Sequence, residues 1–257
     1  MSRLSFHRAG KANQVGTTVP VGQIVTGMKM SVRHLLWFSF ARSGSNFLSD
    51  LLAGIDSVES YREVFQKGGV HAYCSNSSKQ QINKSIEAIA RIYGIEASDV
   101  RDQNLVESIR NAPEKFFDGI HRQMDVPADT IFSVKIFQDH LDEAKIVDSL
   151  LPRPDVANLI YIRNPMDTYI SAIKSKASET SIYVDTTELR PILKLDEFLR
   201  WRRRRQRWMK FLNENSRYFA GVVHYDSIVE LPTLADQIEA LTKVLSACGV
   251  SHHLNYD

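Results

Sequence analysis

Only two cysteines, Cys74 and Cys248, occur in 257 residues, and they form no CxxC pair. A disulfide framework and a cysteine-based metal site are thereby set aside, and both thiols read as reduced and non-catalytic. No stretch approaches the roughly 18 consecutive apolar residues of a spanning helix. The amino terminus is polar and lacks a signal-peptide core, so a cytoplasmic protein is the expectation. Excess charge is missing too: 32 Lys and Arg against 30 Asp and Glu leave a formal net charge of +2, which argues against a stable nucleic-acid partner. Neither GxxxxGK[ST] nor GxGxxG is present, which removes local support for the usual triphosphate and dinucleotide loops. No repeat or low-complexity tract interrupts the chain. An apolar content of 43% with 24% charge suits a single globular domain over 1–257.

What is present is concentrated at 35–54, LLWFSFARSGSNFLSDLLAG. Leu35–Phe40 reads as a buried strand, and Phe47, Leu48, Leu51 and Leu52 recur with the period of a helix. Gly44 permits the tight turn between them. The first turn of a helix carries unpaired N–H groups and a positive dipole end, to which Arg42, Ser43, Ser45 and Asn46 add a cation and donors. A phosphate or sulfate fits such a loop.

A second segment, YIRNPMDTYISAIKS at 161–175, puts Arg163 at the end of a strand and Ser171 about two turns into the next helix, so both can face one phosphate. Pro165 suits the helix start, and Asp167 its first turn. Further strand-to-helix units read at 131–137 with 139–151, and at 219–225 with 232–248. Together they predict an α/β protein with a central parallel sheet covered by helices. The first 30 residues read as an extension, and 56–130, with helices at 78–93 and 102–123, as a helical insertion or substrate lid.

With both motifs in hand, the chain resembles the sulfotransferase family that uses 3'-phosphoadenosine 5'-phosphosulfate (PAPS). FARSGSNFLSDLL at 40–52 is similar to its 5'-phosphosulfate loop, YIRNPMDTYISAIKS to its 3'-phosphate motif, and VHYDSIVELP at 223–232 to the acidic turn before a late helix. The resemblance spans roughly 34–249 and implies a three-layer P-loop-like fold with a mostly parallel sheet. It implies PAPS as co-substrate without a required metal. It also implies that Arg42, Ser43, Gly44, Ser45, Asn46 and Phe47 surround the 5'-phosphosulfate, with Arg163 and Ser171 at the 3'-phosphate. Arg42 stands where many cytosolic members have lysine and several bacterial carbohydrate sulfotransferases have arginine, so the bacterial carbohydrate subtype is the nearer likeness. No carboxy-terminal RKG motif is evident.

For catalysis the expectation is Arg42, Lys135 and Glu63. Placement similar to that in the family implies that Lys135 in SVKIF lies near the transferred group, while Phe137 occupies the neighbourhood in which cytosolic members carry a histidine base. Glu63 in SYREVF, near the front loop, resembles the glutamate base of some carbohydrate sulfotransferases and is the leading general base, with Glu59, His71 and His140 as alternatives. Trp37, Tyr161 and Trp201 are the aromatics considered for adenine. The expected acceptor is a hydroxyl-bearing small molecule, a carbohydrate or glycolipid, the latter with transient membrane-surface contact, and a homodimer is the default assembly. Competing readings are a divergent nucleotide phosphotransferase, or a polyanion-binding protein using RWRRRRQRW at 200–208, a helix anchored through Trp201 and Trp208.

Overall fold

The computed structural model describes residues 32–73, 77–178 and 189–250. The expected amino-terminal extension and Cys74 lie outside these residues. Five strands form one sheet, β1 (His34–Phe38), β2 (Val58–Ser60), β3 (Ile131–Ile136), β4 (Val156–Ile162) and β5 (Phe219–His224), in the order β2-β3-β1-β4-β5. Every neighbouring pair is parallel, with Trp37 beside Lys135 and Leu159 in the central three strands. Each parallel link needs a crossover, and helices supply it.

Among the described residues nine α-helices follow in chain order: α1 (Ser45–Leu52), α2 (Lys79–Tyr93), α3 (Gln103–Asn111), α4 (Pro113–Met124), α5 (Glu143–Lys145, continuing as a π-helical turn over Ile146–Leu150), α6 (Pro165–Ala177), α7 (Leu195–Glu214), α8 (Tyr225–Val229) and α9 (Leu234–Ala247). Because successive side chains of a strand point to opposite faces, β1 divides its run between two cores. Leu36 and Phe38 join Val134 and Ile136 beneath Ile89 of α2, Leu105 of α3, Phe116 of α4 and Trp208 of α7. Leu35 and Trp37 join Leu159 and Tyr161 beneath Leu48 of α1 and Leu241 of α9. The result is the three-layer arrangement expected from the alternation of strand and helix signals.

One boundary departs from the sequence reading. The single helix expected over 102–123 is two, because Pro113 lacks an N–H and drives Ala112 to φ −136°, ψ 66°, which is not helical. The span 56–130 opens with an edge strand, and its helices form a covering layer of the main core. Among the described residues of this span, those that line the cavity at the carboxyl ends of the strands lie in the connection running from Arg62 to Tyr73. No helix among the described residues is long and apolar enough to cross a membrane. Burial pushes the Cys248 thiol up to about 11, which leaves it protonated and inert at neutral pH.

Below the sheet's other end, His34 is buried among Phe117, His121 and Phe132, and neither of its ring nitrogens is hydrogen-bonded. Burial lowers its pKa to about 3, and that of His140 to about 4, against an ordinary 6.5. The unfolded chain therefore binds more protons below pH 6.5, so this part of the stability is complete above that pH and is lost as the pH falls toward 3–4. His34→Phe keeps the ring contacts and removes the group that must charge. Its melting temperature should fall less than that of the wild type between about pH 7 and pH 4.5, as followed by circular dichroism.

Candidate active site

The site lies at the carboxyl ends of the strands, beside central β1, where parallel α/β sheets open their crevices. After Phe38 the chain turns through Ser39–Gly44 into α1. Gly44 caps the helix at φ 83° and Arg42 also holds a left-handed conformation, φ 71°, so the loop curls back over the helix start. Its underside is tied down from three directions. Ser39 Oγ donates to the Tyr161 carbonyl at 3.0 Å, so the 2.6 Å contact between Ser39 and Ser43 has Ser43 as donor. Trp208 Nε1 donates to the Ser39 carbonyl at 2.8 Å. Ser43 is accordingly buried as a strut of the loop, while Ser45 and Asn46 open on the cavity.

Arg42 and the 161–175 motif meet here. Arg42 Nε donates to Ser171 Oγ at 3.4 Å, which brings the two expected anion motifs onto one wall. Burial first, and the nearby Arg163 second, lower the Arg42 pKa. Arg163 lies with its guanidinium 4.4 Å from the centre of the Tyr225 ring, and its buried Nε has no hydrogen-bond partner. Two cations held together in this way, with an orphaned donor, fit an anionic group. Asn164, rather than Asp167, caps α6 by accepting from the Met166 N–H at 2.8 Å.

Across the cavity is a buried charge relay. Lys135, 1% exposed, reaches from β3 to donate to Asn46 Oδ1 at 2.7 Å, and its Nζ is 3.5 Å from Glu63 Oε1. Burial lowers its pKa to about 8, against the opposing pull of Glu63. Glu63 sits in the connection after β2, not directly after the first helix, fixed by a two-way backbone bridge with His71. Gln66 Nε2 donates to Glu63 Oε2 at 3.1 Å. His140 accepts the Phe137 N–H at Nδ1, so its proton is on Nε2, which faces Glu63 Oε2 at 3.7 Å. With a pKa of about 4 that imidazole is neutral at pH 7 and stands beside the carboxylate without an ion pair.

Glu63, His71 and His140 thus converge on one cavity of about 550 Å³ with Arg42, Arg163 and Ser171. Lys135 sits behind its wall, bonded to Asn46 and next to Glu63. Glu59 does not reach it, being the exposed middle residue of β2. Phe47 lies on α1 against Tyr225, ring centres 6.0 Å apart, and is outside the lining. Trp37, Tyr161 and Trp201 are all buried in the cores and offer no ring face to adenine. Sequence reasoning missed Tyr225, although it lies inside the VHYDSIVELP segment; it also missed Gln66 and Tyr73, which follow no periodic signal. Among the described residues no group of three or more His, Cys, Asp or Glu is arranged to hold a metal ion.

A parallel α/β sheet with a helix-start anion loop, a second cationic wall and an enclosed carboxylate defines a group transferase acting on anionic donors. Over residues 37–253 the chain matches the sulfotransferase family model, and it belongs to that family, whose members use PAPS. Weak structural similarity extends to TT1252 from Thermus thermophilus, with 12% identity, 84% of this chain and 98% of that one covered, and a TM-score of 0.35. It extends also to retinol dehydratase in complex with retinol and PAP, with 11% identity, 87% and 61% covered, and a TM-score of 0.29. A complex of retinol dehydratase with androsterone and inactive cofactor PAP gives 14%, 89% and 66%, and 0.28. No curated protein matches by sequence.

Proposed function

We propose that this sulfotransferase transfers a sulfuryl group to a hydroxyl of a carbohydrate or glycolipid headgroup by in-line displacement. The observation that carries the proposal is the Lys135 ammonium, which touches Asn46 of the anion loop on one side and approaches Glu63 on the other. That bridge supports a donor side and an acceptor side of one reaction centre. When bound, PAPS supplies the sulfuryl group and departs as 3'-phosphoadenosine 5'-phosphate. Arg42, Ser45, Asn46 and the first N–H groups of α1 hold the phosphosulfate end, and Arg163 with Ser171 the 3'-phosphate. Glu63 takes the proton of the acceptor hydroxyl, and Gln66 with neutral His140 keeps its carboxylate turned inward. Lys135 offsets negative charge that grows on the leaving side.

The acceptor class is supported by the lining. Glu63, Gln66, His71, Tyr73 and Asp139 give the cavity many hydrogen-bonding groups, which suit a polyhydroxyl ring better than an apolar alcohol. Arg42, in place of the lysine of many cytosolic members, points the same way.

The test is calorimetric titration with 3'-phosphoadenosine 5'-phosphate. The wild type is expected to bind, and a folded Arg163→Ala variant to bind about 100-fold more weakly, the scale of a lost charge-assisted interaction. No wild-type binding, or an unaffected variant, would sink the donor site. Given binding, a panel of sugars and apolar alcohols with PAPS is expected to yield sulfated sugars; a panel without product counts against the acceptor assignment.

A further inference from the structure

A second and larger hollow, about 1070 Å³, runs between α6 and α7, away from the anion loop. Its α7 wall is the arginine run. Trp201, Trp208, Phe211 and Leu212 turn into the core, which leaves Arg203, Arg204 and Arg207 exposed along the groove, and α6 contributes Lys176 from the facing side. Two further cations of the lining are matched: Arg200 pairs with Asp196 at 2.9 Å and Lys210 with Glu214 at 3.6 Å. Arg203, Arg204, Arg207 and Lys176 have no ion pair among the described residues, and Glu197 is the one acidic residue of the lining. Four unmatched cations on two facing helices concentrate a positive field in a concave channel, although the whole chain carries only +2.

We infer that this groove binds an acidic polysaccharide, a glycan bearing sulfates or carboxylates, and holds it as an extended acceptor. The inference rests on the sulfotransferase reading. Charge complementarity selects a polyanion, and three features select a glycan. A bilayer surface cannot follow a concave channel, so its headgroups would reach few of these cations. The groove's aromatics, Trp201 and Tyr169, are 6% and 3% exposed and give nucleobases no stacking platform. Finally, α6 carries Ser171 in the transfer cavity and Ala172, Ile173 and Lys176 in the groove, so a chain seated in the groove borders the transfer cavity.

The experiment titrates full-length protein with size-fractionated dextran sulfate, with neutral dextran, duplex DNA and phosphatidylserine vesicles as parallel arms. Wild type and the triple variant Arg203→Gln, Arg204→Gln, Arg207→Gln are compared. By the counterion-release slope of single-stranded polyanions, four contacts predict an affinity loss on the order of fiftyfold between about 50 and about 200 mM salt, against about threefold once three are removed. The variant should keep its melting temperature and its affinity for 3'-phosphoadenosine 5'-phosphate, which separates failure of the groove from failure of the donor site. Equal dextran sulfate binding by variant and wild type, or its full displacement by the bisphosphate, would place the polyanion elsewhere and overturn the proposal. So would tighter binding of DNA or vesicles than of dextran sulfate at matched charge.

Discussion

Glu63→Gln should lower kcat by about a thousandfold, roughly 4 kcal/mol of barrier, the mid-range for loss of a positioned general base. The amide has the shape of the carboxylate and keeps a donor and an acceptor in place of Oε1 and Oε2, so the fold has no reason to fail. What disappears is the capacity to take a proton, and with it the negative charge 3.5 Å from Lys135 Nζ. That charge is what opposes burial in setting the Lys135 pKa near 8. Without it the ammonium is poorer in partners, and its pKa falls further. The variant should therefore bind 3'-phosphoadenosine 5'-phosphate more weakly than the wild type near pH 8, and the difference should shrink as the pH is lowered. Glu63→Asp, which restores the charge but not the reach, should recover the binding at pH 8 and only part of kcat. In the wild type the same lysine sets an alkaline limb: kcat/KM declines as the pH rises through about 8 and the ammonium is lost. A Glu63→Gln enzyme within tenfold of wild-type kcat would remove Glu63 from the chemistry and leave it as a structural partner of Lys135.

The strand-turn-helix units around 35–52 and 161–175 were legible because each is local: a strand end, a turn residue and a helix start lie within ten residues of one another, and charge and periodicity report them directly. The contact from Arg42 to Ser171 then follows from two parallel neighbours in the sheet. The opposite wall was legible only as candidates. Glu63, His71 and His140 are brought together by a backbone bridge and a turn after β3, neither of which leaves a periodic trace. For that reason the sequence offered four bases; Glu59 is exposed and outside the cavity lining, while the Phe137 N–H fixes the tautomer of His140. Phe137 itself illustrates the point: its side chain cannot act as a base, but its N–H settles which nitrogen of His140 carries the proton. The aromatics were the weakest reading. Trp37, Tyr161 and Trp201 are conspicuous in composition because they are large, and large side chains are what the two cores consume. Tyr225, near the surface of the loop, was hidden at the end of an edge strand.

Gly44→Ala should reduce affinity for 3'-phosphoadenosine 5'-phosphate at least as much as Arg163→Ala, by about 100-fold or more. Two costs act together. The left-handed backbone, φ 83°, is disfavoured by roughly 1–2 kcal/mol for a residue with a Cβ. The Cβ would also sit 2.3 Å from Tyr225 Cε2 and 2.5 Å from Cδ2, far inside van der Waals contact. The ring has little room to yield: it faces Phe47 and Tyr161 with centres 6.0 and 6.5 Å away and carries the Arg163 guanidinium at 4.4 Å. Moving Tyr225 therefore moves Arg163, so a methyl group on the loop before α1 disturbs the wall that carries Arg163. Tyr225→Ala in the Gly44→Ala background removes the clash but not the backbone cost, and should restore part of the chemical stability while leaving binding weak, because Arg163 then loses its ring. Denaturant titration alongside calorimetry separates the two costs. If Gly44→Ala binds within about threefold of wild type, the loop does not depend on its close approach to Tyr225, and the two phosphate sites are mechanically independent.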